Sequence, residues 1–546
     1  MCGGTLWDRL ALGVVVTVTL LVAATFQDYG ITSDEYVQQV YGEKLWAFYL
    51  SGFADRSAFH FQNLYLYGGL FDMVAVVFQH VSPFETYDTR HLLCGLVGVA
   101  GIVATWRLAR GIDGPRTGFL AAALLALSAS WYGAMFNNTK DIPFAVGMTW
   151  LLHFTCLIAV RLPRPRMQHV VAFGVVLGLT LAVRVGAVLA IAYLGVAAAI
   201  FVAMLAYRKG WRASVTACRQ SALALLPILP VALPLIAMFW PWAVFAPQNA
   251  LTAAANLTTF HVPTVFNAQH LDAQQVPVAY LPTYLALKLP ELTLLGLIFA
   301  TVRAGMSIRA AADWPTTTSW LLVVTAAALP LIYVLMTHPG IYHGVRHFFF
   351  LVPPLCVLAA GGLDGMLTAT LRIGRRVSFG AGAAILLAAG QYLWMMVALH
   401  PHEYVYYNMF TGGIAGADRK FEMDYWQNFM PEALQALVEH IKEENHGRIP
   451  ERIFRVDVCG SDWLKPRERA AADTANLRPY LPPNFQPARN LGEADFFIAT
   501  TNAGCADARD GKVIIEVERL NVVLGVIKDR RPGTMAQGSA KQIRIR

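Results

Sequence analysis

Leu10–Phe26 reads LALGVVVTVTLLVAATF, and a few residues on Ile31–Val40 reads ITSDEYVQQV. The first stretch is about 17 residues of almost wholly apolar chain, enough to cross most of a bilayer as a helix. The second presents two adjacent carboxylates, Asp34 and Glu35, directly after it. No small-residue cleavage site stands out between them, so the first run reads as a retained helix rather than a removable leader. What the acid pair does depends on which side of a membrane it occupies, and on what else reaches that side.

The rest of the chain agrees with a membrane setting. Of 546 residues, 56% are hydrophobic and 14% charged, and the mean hydropathy is +0.47. Soluble domains carry roughly 25% charged residues. The net charge of +8 sits in short clusters between apolar runs, as loop charges do, and not in the aromatic-interleaved stripes of a nucleic-acid binder. No nucleic-acid partner is expected. The seven cysteines show no zinc or haem spacing.

Runs of bilayer length occur near 10–26, 91–108, 117–136, 142–160, 169–183, 187–206, 221–242, 284–302, 319–337, 348–366 and 379–399. About eleven transmembrane helices are therefore expected. The even-numbered exits are basic: RLARGIDGPR, RLPRPR, YRKGWRASVTACR, Arg303 with Arg309, and Arg372 with Arg375 and Arg376. The positive-inside rule assigns these loops, and with them the N-terminus, to the cytoplasm. The first external loop (27–90), the loop 243–283 and everything after residue 400 then lie outside. Leu64–Phe78 is apolar too, but as a span it would reverse this parity, so it reads as an interfacial or re-entrant helix. After residue 399 the pattern changes to one amphipathic helix and several short strands, a small extracytoplasmic α/β domain over 400–530. Cys459 and Cys505 lie in it and can form a disulfide in an oxidising compartment. The tail 531–546 reads as disordered.

Polar groups converge on the external face. Asp34 and Glu35 follow the first helix, and a capped helix starting near Glu35 accounts for them on their own. In FNNTKDIPF, Asp141 is an ordinary helix-start acid, whereas Lys140 stands at a positive helix end where a cation is unfavourable. Arg184 interrupts an apolar hairpin, where a charge marks an ion pair, a functional site or a snorkelling side chain. HPGIYHGVRHFFFLVPP places His343 and Arg346 before the tenth helix, and a guanidinium there suits a phosphate oxygen. The three histidines lack zinc-site spacing. Tyr404, Tyr407, Asn408 and Trp426 form either an aromatic wall for a sugar or acceptor, or a packed junction.

These acids and cations at one face suit transfer of a group from a lipid phosphate. The ordered set TSDEY, NTKDIPFA, LAVRVGAVL, YLPTYLALKLPELTLL, GVRHFFFLVPPLCVLAAGGL and LHPHEYVYYNMFTGGIAGADRKFEMDYW resembles the GT-C superfamily of polytopic glycosyltransferases. The likeness is to its branch of protein O-mannosyltransferases and lipid A aminoarabinose (ArnT-like) transferases. It implies an inverting transfer from a polyprenyl-phosphate sugar, outside the cytoplasmic membrane of a bacterium, to a lipid, glycan or protein hydroxyl. Asp34 would be the base, Glu35 its neighbour and Asp141 the second-loop acid. Asp34 and Asp141 could together bind a divalent cation such as Mg²⁺ or Mn²⁺. Lys140, Arg184, Arg346 and His343 would face the lipid phosphate. The HKPP or HPP element of close relatives is absent, and the chain reads FHFQNLYLYGG there. The competing reading is a transporter or lipid flippase, which would show internal repeats and mid-helix charges; neither is visible. An assembly protein whose external domain binds a partner is the third.

Overall fold

The computed structural model describes residues 4–246, 248–256, 261–307, 314–459, 466–488, 491–532 and 543–545. Among the described residues, eight helices are long and apolar enough to cross a membrane: Leu6–Thr25, Thr86–Asp113, Asp141–Ala159, Val185–Lys209, Trp211–Phe239, Trp314–Thr337, Arg346–Ile373 and Arg375–Leu399. Two bent pairs raise the number to ten, and Met167–Leu181 is a shorter apolar helix at the position of the fifth expected run. The chain is a multi-pass helical membrane protein with a C-terminal α/β domain.

Two expected spans are broken. The run at 117–136 bends by 64° between Pro115–Ala126 and Ala129–Asn137, where Ser128 is extended. The run at 284–302 bends by 112° between Tyr280–Lys288 and Glu291–Gly305. Pro290 explains the second break, since it offers no N–H and drives Leu289 to extended backbone (φ −80°, ψ 138°). The segment around 64–78 forms a 3₁₀ turn, Leu64–Leu66, and a ten-residue helix, Leu70–Gln79, about 15 Å long and too short to cross.

Helix ends sort onto two faces. On one, Arg110 pairs with Asp8 at 2.5 Å, Arg303 with Asp113 at 2.7 Å, and Arg116 with Asp364. These pairs join the start of the first helix to the basic exits, so one face collects what the positive-inside rule assigns to the cytoplasm. The other carries the acid pair, Lys140, Arg184, Arg346 and the C-terminal domain. There the loop after Phe239 forms a hairpin of β1 (Pro263–Phe266) and β2 (Gln269–Asp272).

In the C-terminal domain, β3 (Phe454–Val458), β4 (Phe485–Pro487), β5 (Phe496–Thr500), β6 (Lys512–Arg519), β7 (Val522–Asp529) and β8 (Ile543–Ile545) make one mixed sheet. Its order is β4-β3-β5-β7-β6-β8. Helix Met430–Glu444 lays Ala433, Leu434, Leu437 and Ile441 on it, the 3.6-residue period of a half-buried helix. The expected disordered tail is corrected in part: Ile543–Ile545 pairs in parallel with β6, while 533–542 lies outside the described residues. Cys459 and Cys505 are bonded, with Cα atoms 6.1 Å apart.

Candidate active site

Local folding first separates the two adjacent acids. Beyond the first helix, Tyr29 donates to Glu403 at 3.0 Å and stacks on Phe136 at 3.9 Å, and the Gly30 amide donates to Asn428 Oδ1 at 2.6 Å. Thus pinned, the chain turns into helix Glu35–Leu50. The Glu35 carboxylate folds back to accept from the Thr32 amide at 2.8 Å and meets His91 Nε2 at 3.1 Å. It is fully buried. Asp34 makes no cap bond; its carboxylate instead accepts from Arg346 Nη2.

Arg346 is shared. Its Nε donates to Asp141 Oδ2 at 3.2 Å, its Nη1 lies 3.3 Å from His343 Nδ1, and its guanidinium lies 5.2 Å from the centre of the Trp426 ring. A guanidinium can only donate, so Nδ1 accepts and the imidazole is neutral. Burial, then Arg346, pushes His343 well below its ordinary value, in agreement. Asp141 also receives Arg184 Nη2 at 2.6 Å. It begins helix Asp141–Ala159, where its amide donates to Asn138 Oδ1 at 3.0 Å and the helix dipole favours an anion.

Tyr67 supplies the surface beneath two cations. Lys140 Nζ stands 4.3 Å from its ring centre and the Arg184 guanidinium 5.5 Å. The ring reaches them because Gly68 has no side chain: a Cβ there would lie 2.0 Å from the Ala182 carbonyl oxygen. The Leu70 amide then donates to that carbonyl at 3.1 Å, fastening the first loop beside Arg184. Among the described residues, the Lys140 ammonium has no hydrogen bond or ion pair, although only 6% of the residue is exposed. Burial pulls it down to about 8, with Asp72 and Asp34 opposing. Arg184 Nε is also buried without a partner. For Asp34, burial works to raise the carboxyl, but Arg346, then Lys140, outweigh it and hold it below the ordinary carboxylate value.

The cluster therefore holds three cations, Lys140, Arg184 and Arg346, against two carboxylates, Asp34 and Asp141. One positive charge is left over, on the side chain without a partner. Such an arrangement suits an anion carrying one negative charge. As they stand, the donors do not suit a metal: both carboxylates are taken by arginines, and among the described residues no three His, Cys, Asp or Glu side chains gather to hold an ion. A shallow depression lined by Glu43, Trp46, Val76, Gln79 and His80 includes none of the cluster.

Residues 88–233 match the sequence model of the dolichyl-phosphate-mannose-protein mannosyltransferase family. Among solved structures, the chain is similar to ArnT from Cupriavidus metallidurans in the apo state, at 14% identity and a TM-score of 0.48, over 95% of this chain and 97% of that one. It is similar to the same protein bound to undecaprenyl phosphate, at 13% identity and 0.48, over 97% and 99%. A third is the archaeal oligosaccharyltransferase AglB from Archaeoglobus fulgidus, in complex with an inhibitory peptide and a dolichol-phosphate. That likeness is at 13% identity and 0.45, over 90% of this chain and 69% of that one. No curated protein sequence matches the chain.

Three of the other expected site residues lie apart from the cluster and need correction. Tyr404, Tyr407 and Asn408 face no open wall. Tyr404 donates to Asp424, Tyr407 to the Glu422 carbonyl at 2.7 Å, and the Asn408 amide to the carbonyls of Ala286 and Leu289 at 2.6 and 2.9 Å. Each is at most 2% exposed, and Asn408 satisfies carbonyls that the break at Pro290 leaves open. Trp426 is buried as well, with Arg346 over its ring. Glu35 is likewise turned away from Asp34's partners. Two residues of the cluster escaped the sequence reading. Tyr67 stands in YGG ahead of a helix too short to span, a pattern that marks a packed loop. Tyr425, in DYW, stacks on His343 at 4.6 Å with planes 14° apart.

Proposed function

We propose that this chain is a GT-C glycosyltransferase that transfers a sugar from a polyprenyl-phosphate donor to a hydroxyl acceptor at the external membrane surface, with inversion. The observation that carries it is the cluster itself: five ionised side chains from four distant stretches, with one cation unpaired. The lipid tail lies among the spans and the phosphate rests on Lys140, Arg184 and Arg346. Attack of the acceptor oxygen on the anomeric carbon opposite the phosphate forms the new glycosidic bond and breaks the bond to the phosphate oxygen. Asp34 takes the acceptor's proton. The departing phosphate goes from one negative charge toward two, so an unpaired ammonium gains most as the bond breaks. On this reading the N-terminus faces the cytoplasm of a bacterium and the C-terminal domain the periplasm. The acceptor hydroxyl belongs to a lipid, a glycan or a protein.

The test uses the purified protein in detergent with undecaprenyl-phosphate mannose or undecaprenyl-phosphate glucose and a bacterial cell-envelope extract that supplies acceptor hydroxyls, and follows release of undecaprenyl phosphate. Asp34→Asn is expected to lower release by about 10²–10⁴-fold, the usual contribution of a general base, while retaining undecaprenyl-phosphate binding. Full turnover by Asp34→Asn would remove it from that role.

A further inference from the structure

We propose that Glu422, in the C-terminal domain, is a positioning residue for the arginine loop of the site. The role rests on the transferase reading above; the contacts that suggest it do not. Glu422 is fully buried, and its two carboxylate oxygens face different parts of the protein. Oε1 accepts from the Thr264 hydroxyl at 2.5 Å and from the Val265 amide at 2.9 Å, both in β1. Oε2 accepts from Asn502 Nδ2 at 2.7 Å, three residues before disulfide-bonded Cys505.

From Oε1 a relay runs to the cluster. The Thr264 hydroxyl, having donated to Glu422, accepts from Tyr280 at 2.7 Å, and the Tyr280 oxygen in turn accepts from the Gly344 amide at 3.0 Å. Every hydroxyl thus donates toward the carboxylate, a chain in which each bond polarises the next. Its far end is the turn before Arg346. That turn needs holding, because His343 and Gly344 both have left-handed backbone, at φ 55° and 65°. A non-glycine residue keeps such a conformation only where its surroundings impose it. A second path is direct: Tyr425 stacks on His343 and Trp426 lies beneath Arg346. The Glu422 amide donates to Tyr284 Oη at 3.0 Å, fixing the start of this segment against the helix that carries Tyr280.

The experiment compares wild type with E422Q, Y280F and the double variant E422Q/N502D. In E422Q a glutamine amide must face either the Asn502 amide or the Thr264 and Val265 donors, so two donors oppose each other in either orientation. In the double variant the carboxylate introduced at position 502 accepts from that glutamine amide. It also still accepts from the Met423 amide, which Asn502 Oδ1 does at 2.9 Å in wild type. Y280F deletes one hydroxyl from the relay and spares the domain core. Hydrogen exchange of peptides covering 341–347 and binding of undecaprenyl phosphate are both read. Exchange at the Gly344 amide is expected to rise about tenfold in E422Q and Y280F, with binding about tenfold weaker, as for the loss of one buried hydrogen bond. E422Q/N502D should restore both. Wild-type exchange in Y280F overturns the role, whether or not E422Q folds, and so does a folded E422Q that the second substitution fails to rescue. Absence of undecaprenyl-phosphate binding in wild type, with exchange behaving as expected, refutes the transferase reading and leaves the relay standing.

Discussion

Replacing Lys140 by methionine should make the ligand-free protein more stable and the ligand-bound protein less so. Burial moves the ammonium from its ordinary 10.5 to about 8, which at roughly 1.4 kcal/mol per pH unit is about 3 kcal/mol of unfavourable charge burial. Methionine keeps the stem's apolar contacts and removes that term. It also removes the contact with the Tyr67 ring, worth about 1–2 kcal/mol for a buried pair. The net expectation is a gain of about 1–2 kcal/mol at neutral pH. The sign with pH follows from linkage. A lysine held below its unfolded value withholds stability in full below about pH 8, and the loss fades as pH rises from 8 to 10.5, because the unfolded chain binds more protons in that window. Wild type should therefore firm up over that window, and Lys140→Met should lack that slope. Undecaprenyl phosphate gives the opposite result: it raises the wild-type melting temperature in proportion to its binding free energy, and the variant should lose most of that rise. Thermal unfolding in detergent, with and without the lipid, reads both effects. A variant that is less stable when empty, or that keeps the full lipid-induced rise, would refute the assignment of Lys140 as the cation awaiting an anion.

Three further outcomes follow from the same geometry. Tyr67→Phe keeps the ring under Lys140 and Arg184 and should bind undecaprenyl phosphate as wild type does, whereas Tyr67→Leu should bind it at least tenfold more weakly. Gly68→Val puts a side chain where the Ala182 carbonyl stands, so the first loop must move; lower thermal stability together with lost lipid binding is expected, and an unchanged protein would contradict the packing. Asp34, held below the ordinary carboxylate value, contributes stability above about pH 3.8 that is lost as pH falls through its lowered folded value. Asp34→Asn should consequently melt earlier than wild type near neutral pH, with the gap closing in acid.

The membrane architecture was legible because it rests on composition over long windows. Apolar runs and basic exits survive any detail of packing, which is why the paired loops at Asp8–Arg110 and Asp113–Arg303 share one face, as the charge pattern implies. Breaks inside spans were less legible. Pro290 stands at one, inside a run that reads as a single span, and the bend at Ser128 has no proline to announce it. In the C-terminal domain the four longer strands showed as β-branched runs. The three-residue strands β4 and β8 are set by their neighbours rather than by their own sequence.

At the site, residue type and face could be read, but partners could not. Asp34 and Glu35 are adjacent carboxylates on one side of one membrane, and sequence alone gives no reason to separate them. The separation comes from contacts across the chain: His91 and the Thr32 amide claim Glu35, while Arg346, more than three hundred residues away, claims Asp34. Environment, not identity, makes one acid a strut and leaves the other 26% exposed and facing cations. The same holds for the aromatics. A tyrosine-rich segment fits a sugar wall and a packed junction equally well until backbone groups that need partners are known. The kink at Pro290 creates those groups, so Asn408 belongs to the junction. Tyr67 has a bare cation over its ring and belongs to the site. Function in this chain is thus set by which polar groups are left unsatisfied once the helices have packed, and Lys140 is the clearest such group among the described residues.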